Sequence, residues 1–362
     1  LSAIGMGGGL AFDDPDMLAR HQAWNAKLAD AGYAAIAWPV EYGGRGAGVM
    51  EQVVWAEELH RADAPGPVNV LGIPNIAPAI MAYGTEAQKK KYLIPLARGE
   101  KIGAFGLTEP QAGSDAGATR TRAILDRNEW VLNGQKIFIT NGSVADVLVV
   151  TAKTDPGKGT HGISAFILEK GTPGFKTGRD ENKMGLRGSV TSELFFEDCR
   201  IPAENLLGRE NEGFKQFLVT LDAGRVAIAA MALGLAQGAL DKAISYSHQR
   251  VQFNRPIAQF EAIQWMIAEM ATEIEAARLM VMRAAWLRSR GEPFAKEASM
   301  AKLFATEVSE RACYKAIQIH GGYGYMREYD VERMYRDQRL CAIGEGTNEI
   351  QHLVIARHVL GL

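Results

Sequence analysis

The order of patterns along this chain predicts an α+β protein of three parts: a helical N-terminal third, a β-rich middle and a C-terminal bundle of long helices. Two observations carry the prediction. Short strand-like runs split by Gly, Pro and Asp are confined to a stretch from about Phe105 to Leu207. On both sides of it, apolar residues recur at helical spacing. The 362 residues are enough for two or three domains sharing a sizeable core.

Asp14-Pro15 opens the first helical segment, with Met17, Leu18, Trp24 and Leu28 on a rough helical period that ends near Gly32. Met50–Arg61 and Thr85–Arg98 read as further helices, with Lys89-Lys90-Lys91 as a solvated face. In the middle, the run from Trp130 to Ile139 reads as a hairpin turned by Asn133-Gly134. Val147–Thr151, Ile163–Leu168 and Ser192–Phe196 read as short strands, and their spacing indicates a small barrel or sandwich. The pattern is helical again from Asn211. Ile263, Ile267, Met270, Ile274, Ala277 and Val281 alternate steps of four and three, as a bundle seam does. Phe304, Val308, Ala312, Ala316 and Ile319 continue along another helix. No strand–GxGxxG–helix unit is present, which argues against a nicotinamide-binding domain.

Composition narrows the function classes. Forty basic residues nearly balance 42 acidic ones, so there is no field for nucleic acid or an anionic membrane. The longest apolar run, Val226–Ala236, is too short to span a bilayer. Leu1–Leu10 is Gly-rich and lacks a basic segment before an apolar core, so no signal peptide is expected there. Cys199, Cys313 and Cys341 are odd in number and widely spaced, which suggests a reducing compartment without a disulfide or zinc framework. The seven histidines form no metal-like pair, so no metal is expected. A cytoplasmic location of bacterial type is the expectation, with the mitochondrial matrix as the alternative.

Two motifs carry chemistry. Ile343 to Gln351 places Glu345 between Gly344 and Gly346, where a loop leads into a helix Asn348–Val359 that Thr347 can cap. The glycines let a substrate come close to the carboxylate, which suits proton abstraction. An acid there also complements a helix dipole, so the motif alone does not decide. Gly106 to Asp115 joins the helical third to the β segment. Its glycines and the hydroxyls of Thr108 and Ser114 can hold the polar edge of a flat heterocycle or a phosphate, or simply form a capped turn.

Several ordered segments together resemble the acyl-CoA dehydrogenase family, over nearly the whole chain. They are Trp38-Pro39 with Glu41-Tyr42-Gly43-Gly44, Gly106 to Asp115, Asn133-Gly134 with Ile139-Thr140-Asn141-Gly142, and Met184 to Ser189. Arg250 with Gln252-Phe253, His320 to Tyr325, and Ile343 to Gln351 follow. The resemblance implies an N-terminal α-helical domain (1–104), a middle β-barrel (105–210) and a C-terminal four-helix bundle (211–362). It implies FAD between the β domain and the bundle, reaching a neighbouring subunit of a homotetramer.

By motif position, Phe105, Leu107, Thr108, Gly113 and Ser114 are expected to line the flavin, and Phe138, Ile139 and Thr140 to face its ring. Arg250, Gln252, Phe253, Ile257 and Phe260 are expected on the adenine-dinucleotide part across the interface, with Gln318, Gly321 and Gly322 closing over the pyrophosphate. Thr347 and Glu349, after the catalytic loop, complete the cofactor set, while Ser114, Asp222, Arg225, Gly344 and Gly346 are expected near the substrate. Met184, Arg187 and Ser189 border the site in the family. Departures are Glu261, a position often Gln, and Phe138, often Trp.

The implied activity is FAD-dependent α,β-dehydrogenation of an acyl-CoA to the trans-2-enoyl-CoA, with electrons passed to an electron-transfer flavoprotein. The base removes a weakly acidic α-proton while donors stabilise the carbonyl oxygen. The family carries its base either on the C-terminal loop, here Glu345, or on the first bundle helix, here Gly224, so the resemblance points to Glu345. Burial should raise its pKa. An oxygen-using relative of the same fold and a catalytically dead scaffold are the competing readings; the presence of Glu345 and of the flavin loop opposes them. Gly344 replaces a tyrosine of several straight-chain members. Together with Gly224 it is expected to leave room beside the reacting carbons for branched, cyclic or aromatic acyl groups.

Overall fold

The computed structural model describes residues 15–362, with 15 and 219–223 described by backbone alone. The Gly-rich start, Asp14 and the side chain of Asp222 lie outside the described residues. Four helices build the N-terminal part: α1 (Pro15–Asp30), α2 (Val49–Arg61), α3 (Ala77–Tyr83) and α4 (Glu86–Arg98). A capping box starts α4: the Thr85 hydroxyl accepts from the Gln88 N–H at 3.2 Å, and the Thr85 N–H donates to Gln88 Oε1 at 2.9 Å. A π-type turn at Gly72–Ile76 leads into α3, and Asn75 within it is buried. Such turns recur at functional sites.

The middle domain holds β1 (Gly103–Gly106), β2 (Arg122–Asp126), β3 (Glu129–Thr140), β4 (Val147–Lys153), β5 (Ile163–Glu169), β6 (Phe175–Asp180), β7 (Thr191–Pro202) and β8 (Leu206–Leu207). They form one mixed sheet of order β6-β7-β3-β2-β4-β5-β8, with β1 parallel to β4. β2 meets β4 at the single pair Arg122↔Lys153, so two halves of the sheet are joined at one point.

Asn133-Gly134 is not the hairpin turn that its residue types predict. β3 runs straight through it as a 12-residue strand. The register against β7 shifts between Leu132 and Gly134, which marks a bulge. Gly134 has φ +151°, and a Cβ there would lie 2.5 Å from Thr121 Oγ1 and 2.6 Å from Thr121 Cα. The glycine answers a close backbone approach rather than a turn. The turn lies earlier, at Arg127-Asn128, enclosed by the pair Asp126↔Glu129, with Arg127 at φ +58°.

The C-terminal part comprises α5 (Gly213–Gln249), the small hairpin β9 (Val251–Gln252) and β10 (Arg255–Pro256), α6 (Glu261–Ser289), α7 (Ala295–His320), α8 (Val331–Gln338) and α9 (Asn348–Leu360). α5, α6 and α7 pack on one another and α9 lies against α7. Alanines fill much of the seam, among them Ala229, Ala232, Ala236, Ala277, Ala301 and Ala305, all fully buried, which lets the helices approach closely. Within Gly224–Gln249 of α5 an 18-residue stretch reaches a mean hydropathy of 1.3, so the helix is long and apolar enough to cross a membrane, which the run Val226–Ala236 alone does not reveal. It is a core helix here: 61% of its apolar window is buried, and α5 packs against α2, α6 and α7. The N-terminal helices meet the β domain where Phe105 stacks on Phe217 of α5, ring centroids 4.1 Å apart.

Candidate active site

Glu345 sits on the loop that enters α9. It has φ +55° and is followed by Gly346 at φ +90°, two consecutive left-handed residues. For a glutamate this conformation costs roughly 1–3 kcal/mol and persists only where its surroundings impose it. Thr347 caps α9, its hydroxyl accepting from the Ile350 N–H at 3.3 Å. The strained turn aims the carboxylate at the start of the bundle. A Cβ built on Gly224 of α5 would lie 2.7 Å from Glu345 Oε2 and 3.0 Å from Cδ. The space that Gly224 leaves is therefore filled by the base itself, which corrects the expectation that it gives room to the acyl group. Gly344 is different: the nearest described atoms to a Cβ there all belong to Leu340, the closest at 3.5 Å.

Asn75 Nδ2 donates to Glu345 Oε1 at 3.4 Å, while Oε2 is sealed from solvent and has no partner among the described residues. The Glu345 N–H is also without a partner among them. Burial pushes the carboxyl up to about 6, against the opposing pull of Asn75, Arg225 and Lys302. A carboxylate with one free oxygen and a pKa near the working range is equipped to accept a proton.

The loop is held from the bundle side. Gly346 O accepts from Lys302 Nζ at 2.7 Å and from Gln351 Nε2 at 2.8 Å. Asn348 Oδ1 accepts from Lys302 Nζ at 3.3 Å and from Thr306 Oγ1 at 3.2 Å. Neither Asn75 nor Lys302 is marked by a motif. For Lys302 a signal existed: it lies four after Ala298 and three before Ala305, on the apolar stripe of α7. The contact of Asn75 spans 270 residues and has no local signature.

A second cluster organises the Gly106-to-Asp115 loop. Lys136 and Glu109 form a fully buried ion pair at 2.8 Å. Glu109 also accepts from the Thr119 hydroxyl, the Arg120 N–H at 2.6 Å and the Thr121 N–H at 3.0 Å. Burial alone would raise Glu109, but Lys136 and these donors hold it down to about 2. Lys136 also donates to Leu107 O at 3.2 Å, so the loop backbone hangs on this pair. Thr108 O accepts from the Ile137 N–H at 2.9 Å, and β3 breaks register with β7 between Lys136 and Ile139. This bulge turns Phe138 outward, 64% exposed at φ +59°. Ile139 points the other way, its side chain buried in the β-domain core, so only its backbone can meet a ligand. Phe105 is likewise core, whereas Leu107, Thr108 and Thr140 are half-buried and Gly113 and Ser114 exposed.

A third feature is a cleft of about 530 Å³ at the ends of α5 and α7. Arg250, Gln252, Ile257, Gly321 and Gly322 line it, together with Tyr246, His320 and Tyr323. Arg250 lies over the Tyr323 ring at 5.4 Å. Cβ atoms added to Gly321 or Gly322 would meet nothing within 4 Å, so backbone is open to a ligand. Phe253 and Asn254, both left-handed, form the β9–β10 turn and leave Phe253 87% exposed, with Phe260 edge-on to it. Gln318 does not line the cleft; its carbonyl accepts from the Gly321 N–H. Glu349 is exposed in the first turn of α9, and Glu261 is exposed at the start of α6. The cleft and the Glu345 site share no lining residue.

Comparison with known proteins decides the family. Residues 14–100, 104–199 and 211–360 match the models of the acyl-CoA dehydrogenase N-terminal, middle and C-terminal domains. The chain belongs to the acyl-CoA dehydrogenase family. It is 52% identical over 337 residues to the acryloyl-CoA reductase (NADH) of Anaerotignum propionicum, covering 92% of this chain and 85% of that one. It is 47% identical over 335 residues to the caffeyl-CoA reductase-Etf complex subunit CarC of Acetobacterium woodii, covering 92% and 88%. The solved butyryl-CoA dehydrogenase of Megasphaera elsdenii superposes with TM-score 0.87 at 44% identity, covering 96% and 93%. The acyl-CoA dehydrogenase-family chain described here is thus an FAD-dependent oxidoreductase with acyl-CoA dehydrogenase or reductase activity. The open Gly113, Gly321 and Gly322, the outward Phe138 and the Arg250 cleft fit such a group: flat apolar contact at one end, cation and free backbone at the other.

Proposed function

We propose that this enzyme dehydrogenates an acyl-CoA between its α and β carbons, giving the trans-2-enoyl-CoA, with Glu345 as the base. The observation that carries this reading is the sealed Oε2 of Glu345, without a partner among the described residues and held against Gly224 in a strained turn. FAD, when bound, supplies the hydride acceptor. Glu345 takes the α-proton at Oε2, while Asn75 holds Oε1. The Glu345 N–H, without a partner among the described residues, is available to the thioester carbonyl as charge develops on its oxygen. Leu107, Thr108, Gly113, Ser114, Phe138 and Thr140 would hold the flavin end, and Arg250, Gln252, Phe253, Gly321 and Gly322 the dinucleotide end. Phe253 is 87% exposed at the β9–β10 turn, which supports a site completed by a second copy. Trp265, Leu279 and Trp286 of α6 are also outward, 65%, 64% and 47% exposed, in keeping with a homotetramer.

The name of the Acetobacterium woodii relative supports an electron-transfer flavoprotein as partner. The names of the two reductases support a second reading, in which the same site runs in reverse and protonated Glu345 delivers the α-proton. A pKa of about 6 makes both forms accessible. The test is anaerobic mixing of the purified protein with a panel of saturated acyl-CoAs and with the corresponding enoyl-CoAs after prior reduction. Bleaching of the yellow protein by a saturated acyl-CoA, with electrons recovered by an electron-transfer flavoprotein, supports dehydrogenation. A protein that no acyl-CoA reduces and that only enoyl-CoAs reoxidise favours the reductive direction.

A further inference from the structure

Lys302 on α7 is fully buried, yet no carboxylate lies within ion-pair distance of it among the described residues. A buried ammonium without a paired acid is expensive and calls for other compensation. Its strongest contact is the carbonyl of Gly346, the residue directly after the base, at 2.7 Å. Its second is Asn348 Oδ1, at 3.3 Å, in the first turn of α9. The same carbonyl takes Gln351 Nε2 at 2.8 Å, so both of its lone pairs are used. We propose that Lys302 is a positioning residue for Glu345: by gripping the Gly346 carbonyl it holds the left-handed Glu345-Gly346 turn in place.

The charge environment agrees. Lys302 is lowered to about 8, mainly by burial and also by Arg225 of α5, while Cys341, Glu345 and Glu349 oppose this. It therefore carries its proton at neutral pH and pulls Glu345 downward. Without it, burial would act on the carboxylate with less opposition and the turn would lose its grip from α7.

This inference rests on Glu345 being the base, and the test keeps the two apart. Lys302→Met and Lys302→Gln are measured with wild type and Glu345→Gln as holoproteins, over pH 5 to 8. The expected result for both variants is retained flavin, a kcat reduced about 10- to 100-fold with a smaller change in KM, and an acidic limb moved to higher pH. The glutamine variant, which keeps a donor but not the charge, should recover part of kcat and keep the shifted limb. A second readout needs no turnover: the thermal stabilisation from Glu345→Gln at pH 7 should be larger in the Lys302→Met background. An unchanged limb with kcat within threefold of wild type overturns the proposal. So does failure of both variants to fold with flavin, which would make Lys302 a purely structural residue. Wild type that no acyl-CoA reduces, or Glu345→Gln that turns over normally, fails the reading of Glu345 instead.

Discussion

Gly224→Ala separates the needs of the site from those of the fold. Gly224 lies in the interior of α5, where alanine is the better helix former by about 0.5–1 kcal/mol. Its added Cβ, however, would lie 2.7 Å from Glu345 Oε2 and 3.0 Å from Cδ. A carbon–oxygen contact needs more than 3 Å, so the carboxylate must retreat by several tenths of an ångström. The left-handed backbone of Glu345 and the grip on Gly346 O leave little slack for that. A misplacement approaching 1 Å costs up to about 10²-fold in rate. We expect kcat to fall about 10- to 100-fold while flavin content is kept and the melting temperature does not drop. The assay is anaerobic stopped-flow reduction by an acyl-CoA, paired with thermal melts of the same preparations. Reduction within twofold of wild type would show that the base has room to move and that Gly224 is not its seat.

Three further outcomes follow from the same structure. Glu345 has its folded pKa raised from 4.5 to about 6, so its ionisation opposes folding by about 2 kcal/mol above pH 6. Glu345→Gln should therefore melt higher than wild type at pH 7, with the gap closing as pH falls from about 6 to below 4.5; a gap independent of pH would contradict the burial of this charge. Lys136→Met leaves Glu109 as a buried carboxylate without its cation and should destabilise the holoprotein by about 3–5 kcal/mol, with early flavin release on heating; a melt unchanged within a degree would show that the pair does not support the loop. Gly344→Tyr should fold, since its Cβ would come no closer than 3.5 Å to the nearest described atoms, those of Leu340, and should depress turnover of a branched or aromatic acyl-CoA more than that of butyryl-CoA; equal losses would remove Gly344 as a determinant of acyl shape.

The order helix, strand, bundle was legible because each part keeps its own period. The seam of α6 appears where Met270, Ile274, Ala277 and Val281 place it, all buried. The cap at Thr347 was legible for the same local reason. Asn133-Gly134 misled because an Asn-Gly pair within an alternating run is the usual hairpin signal, while its actual cause is the backbone of Thr121, close in space rather than in sequence. Gly224 was read as a vacancy because a sequence shows which side chain is missing and not what occupies its place. Asn75 reaches Glu345 from a buried turn, and Lys302 reaches it through a carbonyl, so neither contact has a residue pattern to announce it. The buried Glu109–Lys136 pair lies inside two motifs that were noticed for their glycines and aromatic residue, and its partnership emerges only when β3 is laid beside the loop.

The central claim is that Glu345 is the proton-abstracting base, and single-turnover reduction of Glu345→Gln tests it most directly. The variant is mixed anaerobically, in the stopped flow, with the acyl-CoA that reduces wild type fastest. The amide keeps the shape of the side chain and removes its basicity, so a yellow, folded protein should reduce several orders of magnitude more slowly, from about 10²–10⁴-fold for the base itself together with lost orientation. Reduction within tenfold of wild type would contradict the account and move the base to another acid.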